Sequence, residues 1–445
     1  MAPASSAGPG TGPISGPSLR NAAVTAPADL ADLRVLRRLM LALIAAGDGP
    51  PAAALVGLSA ADWHALDDMA WQHRLQPLLH ARRGLGSDKV QTNKVRNPIP
   101  PAILDRWRAA YRTAGIRALK ARAELAETTA RLEAAGFAPI ALKGAWLAWH
   151  AYPHPALRPL RDLDLLLTPD TVIPAFKHLV AQGYTPPEAQ EFLLEDAVRL
   201  DKHMPPLTSP RGITIELHQR LWEIDGRMDH AAPRANETPI RARAIRIGSI
   251  TYPHAADMLA HLVIHAVYDH RLDCGPLLLP DIACLLRTQE TQAAPIEWAP
   301  FWAQAAAQGW REGAGLVLEL VRAHDPEVAI EVPADAAPPP AVIDAAADLL
   351  LQNLFTRASA GVVATMAARG PAAFWRRVTA RRSDPHDDGS KVSSDPVARN
   401  LSGEGGFVQW AVTRLRRTIG QLARPDVRQQ SRDLAALSKW LDARR

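Results

Sequence analysis

Two cysteines, Cys274 and Cys284, are all that this chain of 445 residues contains. They fit neither a thiolate metal framework nor a secreted disulfide scaffold, so the expected setting is reducing and cytoplasmic. Long apolar runs are also missing. The longest near the start, residues 39–46, is much too short to span a bilayer. The first residues, Met1-Ala2-Pro3-Ala4-Ser5-Ser6, lack the basic and apolar segments of a secretory signal. Aromatic residues make up only 5% and are not interleaved with basic ones, which argues against a stacking surface for single-stranded nucleic acid. Charge of one sign is barely in excess. The 51 Lys and Arg against 46 Asp and Glu leave +5, which permits a phosphate-bearing partner without requiring one. No internal repeat occurs, and neither common Gly-rich nucleotide loop is present.

What is there is ample apolar material, 47% of the chain, with a length that suggests about three domains. Residues 1–27 are Ala, Pro, Gly and Ser and read as a disordered tail. Residues 28–135 read as an N-terminal helical region. Leu30, Leu33, Leu36, Leu39, Met40 and Leu43 follow helical spacing, Ser59 is placed as an N-cap, and a long helix is expected over 102–135. The texture changes over 136–254, where strands are expected at 137–144, 162–167 and 213–218, with a strand pair at 244–252, between short helices. Helices return over 255–332, expected to pack on that core. A C-terminal helical region follows over 333–445, with a flexible segment at 383–406. The pattern is α+β.

The chemistry concentrates in Arg161-Asp162-Leu163-Asp164-Leu165-Leu166-Leu167. In a strand, residues i and i+2 share a face, so Asp162 and Asp164 project together and the leucines project away. Two like charges held that close call for a cation between them. Hard carboxylate oxygens suit Mg²⁺ or Mn²⁺, carried with substrate phosphates. Glu216 is the candidate third acid. It lies mid-strand in Ile215-Glu216-Leu217-His218, where an unpartnered charge is costly, and alternation places His218 on its face. Lys143-Gly144 closes the preceding strand and opens a helix, an arrangement suited to phosphate. Arg158 is a candidate phosphate grip, set against the plainer reading of a salt bridge to the aspartates, which is preferred for Arg161. His261 and His265 stand at i, i+4, but position 262 is Leu where the zinc-protease pattern has Glu. His265, Asp269 and His270 could line a substrate cleft, and Asp281 is expected to cap or salt-bridge. The basic stretch holding Arg414, Arg416, Arg417, Arg424 and Arg428 is read as a solvated helix face.

In order and spacing, Leu142-Lys143-Gly144, Tyr152-Pro153, Leu157-Arg158-Pro159, Asp162-Leu163-Asp164-Leu165-Leu166 and Glu216-Leu217-His218 resemble the uncharacterised bacterial nucleotidyltransferase family of the DNA polymerase beta-like superfamily. Similar pieces lie upstream in Trp71-Gln72-His73-Arg74-Leu75-Gln76-Pro77 and downstream in Asp281-Ile282-Ala283, so the resemblance covers roughly residues 30–290. It implies a small mixed-sheet core flanked by N- and C-terminal helical regions. It also implies transfer of a nucleoside monophosphate from an NTP to an unknown hydroxyl-bearing acceptor (small molecule, protein or RNA), with release of pyrophosphate. Asp162, Asp164 and Glu216 would be the catalytic metal ligands, and Lys143, Gly144, Arg158 and His218 would contact the nucleotide. The chain departs from the superfamily pattern at the glycine turn: Gly144 is followed by Ala145 instead of Ser or Gly, and Asp162 lies eighteen positions beyond it. The competing reading is a catalytically inactive nucleotide- or metal-binding module of the same fold. A kinase or phosphatase ranks below both.

Overall fold

The computed structural model describes residues 30–45, 52–81, 99–187, 201–222, 238–290, 295–380 and 423–443, with 194 and 420 besides. The tail expected at 1–27, most of the helix expected over 188–200, the segment 383–406, and Arg414, Arg416 and Arg417 lie outside the described residues.

Helices Leu30–Ile44, Ala52–Val56, Ala60–Gln72 and Gln76–Ala81 pack around Met40, Ile44, Leu66 and Leu75. Ser59 caps as the sequence suggests. Its hydroxyl accepts from Asp62 N at 3.2 Å, and the Asp62 carboxylate accepts from Ser59 N at 2.8 Å, which satisfies two helix-end donors reciprocally. Asp67 is buried yet satisfied, accepting from Trp107 Nε1 and Arg106 Nε at 2.7 Å and Gln76 Nε2 at 3.0 Å.

The helix Pro101–Ala134 runs 34 residues, about 50 Å at 1.5 Å per residue. Ile103 and Trp107 at one end belong to the N-terminal core, while Ala121, Leu125 and Leu132 belong to a second, larger core built on the sheet. Between them, Arg117 donates to Leu160 O at 2.7 Å and Arg161 O at 2.5 Å, gripping the chain just before Asp162. Near the far end, buried Glu124 accepts from Tyr184 Oη at 2.7 Å, Thr128 Oγ1 at 3.0 Å and Arg211 Nη1 at 3.2 Å.

The sheet has four strands, β1 (Ile140–Ala141), β2 (Asp162–Leu166), β3 (Leu207–Thr208) and β4 (Thr214–His218), in the order β1-β2-β4-β3. The central pair β2/β4 is parallel and the outer pairs are antiparallel, so the sheet is mixed. This is the small mixed sheet in an α+β, mostly helical frame that the sequence leads one to expect. β1 is shorter than expected. Pro139 has no N–H to give the ladder, and Lys143 turns into the left-handed region at φ 38°. Leu142 N still reaches Asp164 O at 3.0 Å, extending the pairing beside the acids. The pair expected at 244–252 forms a separate hairpin, β5 (Ile245–Ile247) and β6 (Ile250–Tyr252).

Leu163, Leu165, Ile215 and Leu217 turn one face of β2 and β4 into the larger core. Helices Ala255–Ile264, Leu278–Glu290 and Arg311–His324 contribute to that core, and so do the later helices Pro340–Leu350 and Pro425–Asp442 through Leu349, Val427 and Leu437. Among the described residues, no helix is long and apolar enough to cross a membrane.

Candidate active site

The parallel register of β2 and β4 sets the site. Asp164 stands opposite Glu216, Asp162 opposite Thr214 and Leu166 opposite His218. Side chains alternate in direction along both strands, so Asp162, Asp164, Glu216 and His218 share the face turned away from Leu163, Leu165 and Leu217. Ligand atoms of Asp164, Glu216 and His218 all lie within 4.8 Å of one another, spacing that could hold one metal ion. Asp162 is outside that triple but on its face.

Electrostatics in this group are unbalanced. His218 Nε2 donates to Asp164 Oδ1 at 3.0 Å and lies 3.7 Å from Glu216 Oε2. Lys143 Nζ lies 3.8 Å from the other Asp164 oxygen. Burial alone would raise the Asp164 carboxyl, but the Lys143 ammonium and the His218 hydrogen bond hold it well below the usual range. Glu216, raised by burial but with the His218 imidazole beside it, is held at about 2. Burial would lower His218, and its two carboxylate partners raise it instead. Asp162 goes the other way. Burial, then the charges of Asp164 and Glu216, push its carboxyl up, with Arg161 offering only a 4.0 Å contact from the surface. A carboxylate set with one member left uncompensated fits a hard divalent cation, which would relieve that repulsion.

The second tier comes from elements far apart in sequence. Helix Gly144–Trp146 passes into a π-helical turn, Leu147–Ala151, and a second such turn, His265–Asp269, extends the Ala255–Ile264 helix. Lys143 Nζ lies 3.4 Å from His265 Nδ1. Asp269, at the end of the second turn, is paired with buried Lys202 at 2.7 Å. Burial lowers the Lys143 ammonium against the pull of Asp164, and burial with Lys143 lowers His265 well below its ordinary value.

The residues singled out from sequence do not all converge. Asp162, Asp164, Glu216, His218 and Lys143 do. Gly144 is needed for close approach: a Cβ there would lie 2.6 Å from Arg158 Nη1 and 2.9 Å from Leu160 Cδ2. Arg158 itself is committed elsewhere. It donates to both carboxylate oxygens of Asp281, at 3.2 and 2.9 Å, and Tyr152 Oη donates to the same carboxylate at 2.7 Å. This pairing is buried, unlike the surface bridge to the aspartates weighed above. Asp281 therefore does salt-bridge, as expected. Lys202, and His203 with its ring tilted 58° to that of His218 at 5.1 Å between centroids, escaped the sequence reading because no spacing pattern links them to the acids. His203 falls to about 4 through burial and the neighbouring imidazole.

An acid face over the parallel β2/β4 pair of a mixed sheet, with basic groups around it, is a layout that could hold a metal ion for phosphoryl or nucleotidyl transfer. The comparison with protein families is narrower. A family model described as uncharacterised nucleotidyltransferase matches residues 59–324, more than half of the chain, and the chain belongs to that family. No curated protein and no solved structure matches it. The matched region begins at the Ser59 cap, takes in all of β1 to β6, and ends with the helix Arg311–His324.

Proposed function

We propose that the protein is a Mg²⁺- or Mn²⁺-dependent nucleotidyltransferase. It would move a nucleoside monophosphate from an NTP to a hydroxyl-bearing acceptor and release pyrophosphate. The observation that supports this most is the register that sets Asp164 against Glu216, with Asp162 and His218 on the same face. Asp162, Asp164 and Glu216 would hold the metal, and His218 orients Asp164 and Glu216. When bound, the metal supplies neutralisation of the phosphate charge and polarises the phosphoryl oxygens. The rest is positioning. An acceptor oxygen bonds to the α-phosphorus as the bond to the α–β bridging oxygen breaks, and that electron pair leaves with pyrophosphate. The acceptor proton passes to a carboxylate.

One observation favours the inactive module of the same fold: the Lys143 ammonium already stands 3.8 Å from Asp164, partly compensating an acid that a metal would use. The deciding experiment incubates the protein with each labelled NTP, Mg²⁺ or Mn²⁺, and acceptors that include itself, RNA and small-molecule extracts. Label transfer lost in Asp162→Asn/Asp164→Asn is the expected result. Transfer that survives the double substitution removes the assigned site. Metal-dependent NTP binding with no transfer favours the module.

A further inference from the structure

The glycine turn before β2 lacks the Ser that would take a phosphate, and Arg158 is occupied by Asp281. Other basic groups stand near the acid face, around the second π-helical turn. From the acid face outward, Lys143 leads to His265 at 3.4 Å, and the His265 ring leads to the His270 ring at 4.2 Å between centroids. His270 Nδ1 meets Asp273 at 2.8 Å, and Arg357 reaches the same carboxylate at 3.4 Å. Side-chain exposure rises along this path, 11% for Lys143, 22% for His265, 39% for His270 and 40% for Arg357, so the lane opens from the acids to solvent. Its acids are already answered: Asp269 by Lys202, and Asp273 by His270 and Arg357. Behind His265 lies His261, 1% exposed and edge-on to it at 6.0 Å, with neither ring nitrogen hydrogen-bonded among the described residues. A buried imidazole left in that state is rare without a ligand or water to meet it. Strained backbone borders the lane at both ends. Lys143 has φ 38°, and Arg271 and Leu272, just after His270, have φ 46° and 66°. Such strain persists where packing over-determines it, commonly at ligand sites.

We propose that Lys143, His265 and His270 form a polyphosphate subsite that holds the β- and γ-phosphates of the nucleotide and the pyrophosphate it becomes. The assignment to a nucleotide rests on the transferase reading; the anion chemistry does not. Imidazole and ammonium donors in a half-buried lane make charge-assisted hydrogen bonds to phosphate oxygens, and the lane leads away from the acids, where the α-phosphorus would react.

The test uses the full chain in EDTA, titrated calorimetrically with sodium pyrophosphate, and separately with NTP and Mg²⁺. His265→Gln and the more exposed His270→Gln are compared with the wild type, and thermal melts check folding. Pyrophosphate and NTP affinities are both expected to fall about tenfold in each variant, as one lost charge-assisted bond implies. Wild-type protein that does not bind pyrophosphate overturns the subsite. So does a folded His270→Gln protein that binds it unchanged. Loss of pyrophosphate affinity with NTP affinity intact overturns the nucleotide assignment. Transfer activity with unaltered pyrophosphate binding in the variants removes the subsite and leaves the transferase reading standing. Tenfold losses without transfer from any NTP remove the transferase reading and leave a polyphosphate site.

Discussion

Replacing Arg158 by methionine strands a buried carboxylate. Asp281 has 4% side-chain exposure and depends on two guanidinium hydrogen bonds and the Tyr152 hydroxyl. Breaking one half of a buried ion pair costs about 3–5 kcal/mol, because the remaining charge has no water to turn to. Counting bonds gives a similar figure, since two hydrogen bonds to a charged group at about 1.5–3 kcal/mol each are lost. Urea unfolding followed by circular dichroism should show Arg158→Met losing stability in that range. The double variant Arg158→Met/Asp281→Asn should recover much of it, because no bare charge is left and Tyr152 keeps a partner. NTP affinity in the folded fraction should change little. A stability loss under about 1 kcal/mol, accompanied by a large drop in NTP affinity, would refute the reasoning and return Arg158 to the phosphate.

At the acid face, Asp164→Asn and Glu216→Gln should each lower transfer by about 10²- to 10³-fold, and EDTA should abolish it until Mg²⁺ or Mn²⁺ is restored; unchanged transfer in radiometric assays of either variant counts against the site. His73, buried and hydrogen-bonded to Gln352 O at 3.0 Å, is lowered by burial to about 4. The unfolded imidazole, near pH 6.5, takes a proton that the folded one refuses. Stability is therefore full above pH 6.5 and falls as the pH drops toward 4, by about 3 kcal/mol from this group. Urea unfolding at pH 7.5 and 4.5 should show a shallower acid loss in His73→Gln, and an equal loss in both proteins would be fatal to this account. Gly315 lies against the backbone of Ala336, where an added Cβ would be 2.0 Å from the carbonyl oxygen. Gly315→Ala should cost about 3 kcal/mol, read as a lower urea midpoint, and a midpoint unchanged from wild type would show that the backbone gives way.

The acid face was legible because its information is local. Asp162 and Asp164 sit at period two among leucines, and Glu216 and His218 repeat the pattern, so each strand announces which side chains travel together. What joins the two strands is not local, yet the shared hydrophobic alternation leaves little freedom in how they can pair. Arg158 shows the opposite situation. Its partner is 123 residues away, on a helix whose sequence shows only an Asp before an apolar run. The neighbouring aspartates were the natural partners on sequence distance alone, and packing chose otherwise. The π-helical turns were hidden as well. Each adds a residue within a helical pattern, which apolar spacing over five residues cannot separate from an ordinary α turn. That added residue bears on His265. The sequence already set His265, Asp269 and His270 at a candidate substrate cleft, and what it did not show is their alignment with Lys143.

The helix Pro101–Ala134 has a mechanical meaning. Its two ends are rooted in different cores, and its midpoint is fastened by Arg117 to the carbonyls of Leu160 and Arg161. It works as a beam with a bracket at mid-span, and the bracket carries the residues immediately before Asp162. The helix is unbroken between Trp107 and Ala121, so a displacement of the N-terminal helices is expected to reach the bracket. Arg117 would pass it to Leu160 and Arg161, next to the first residue of the acid strand.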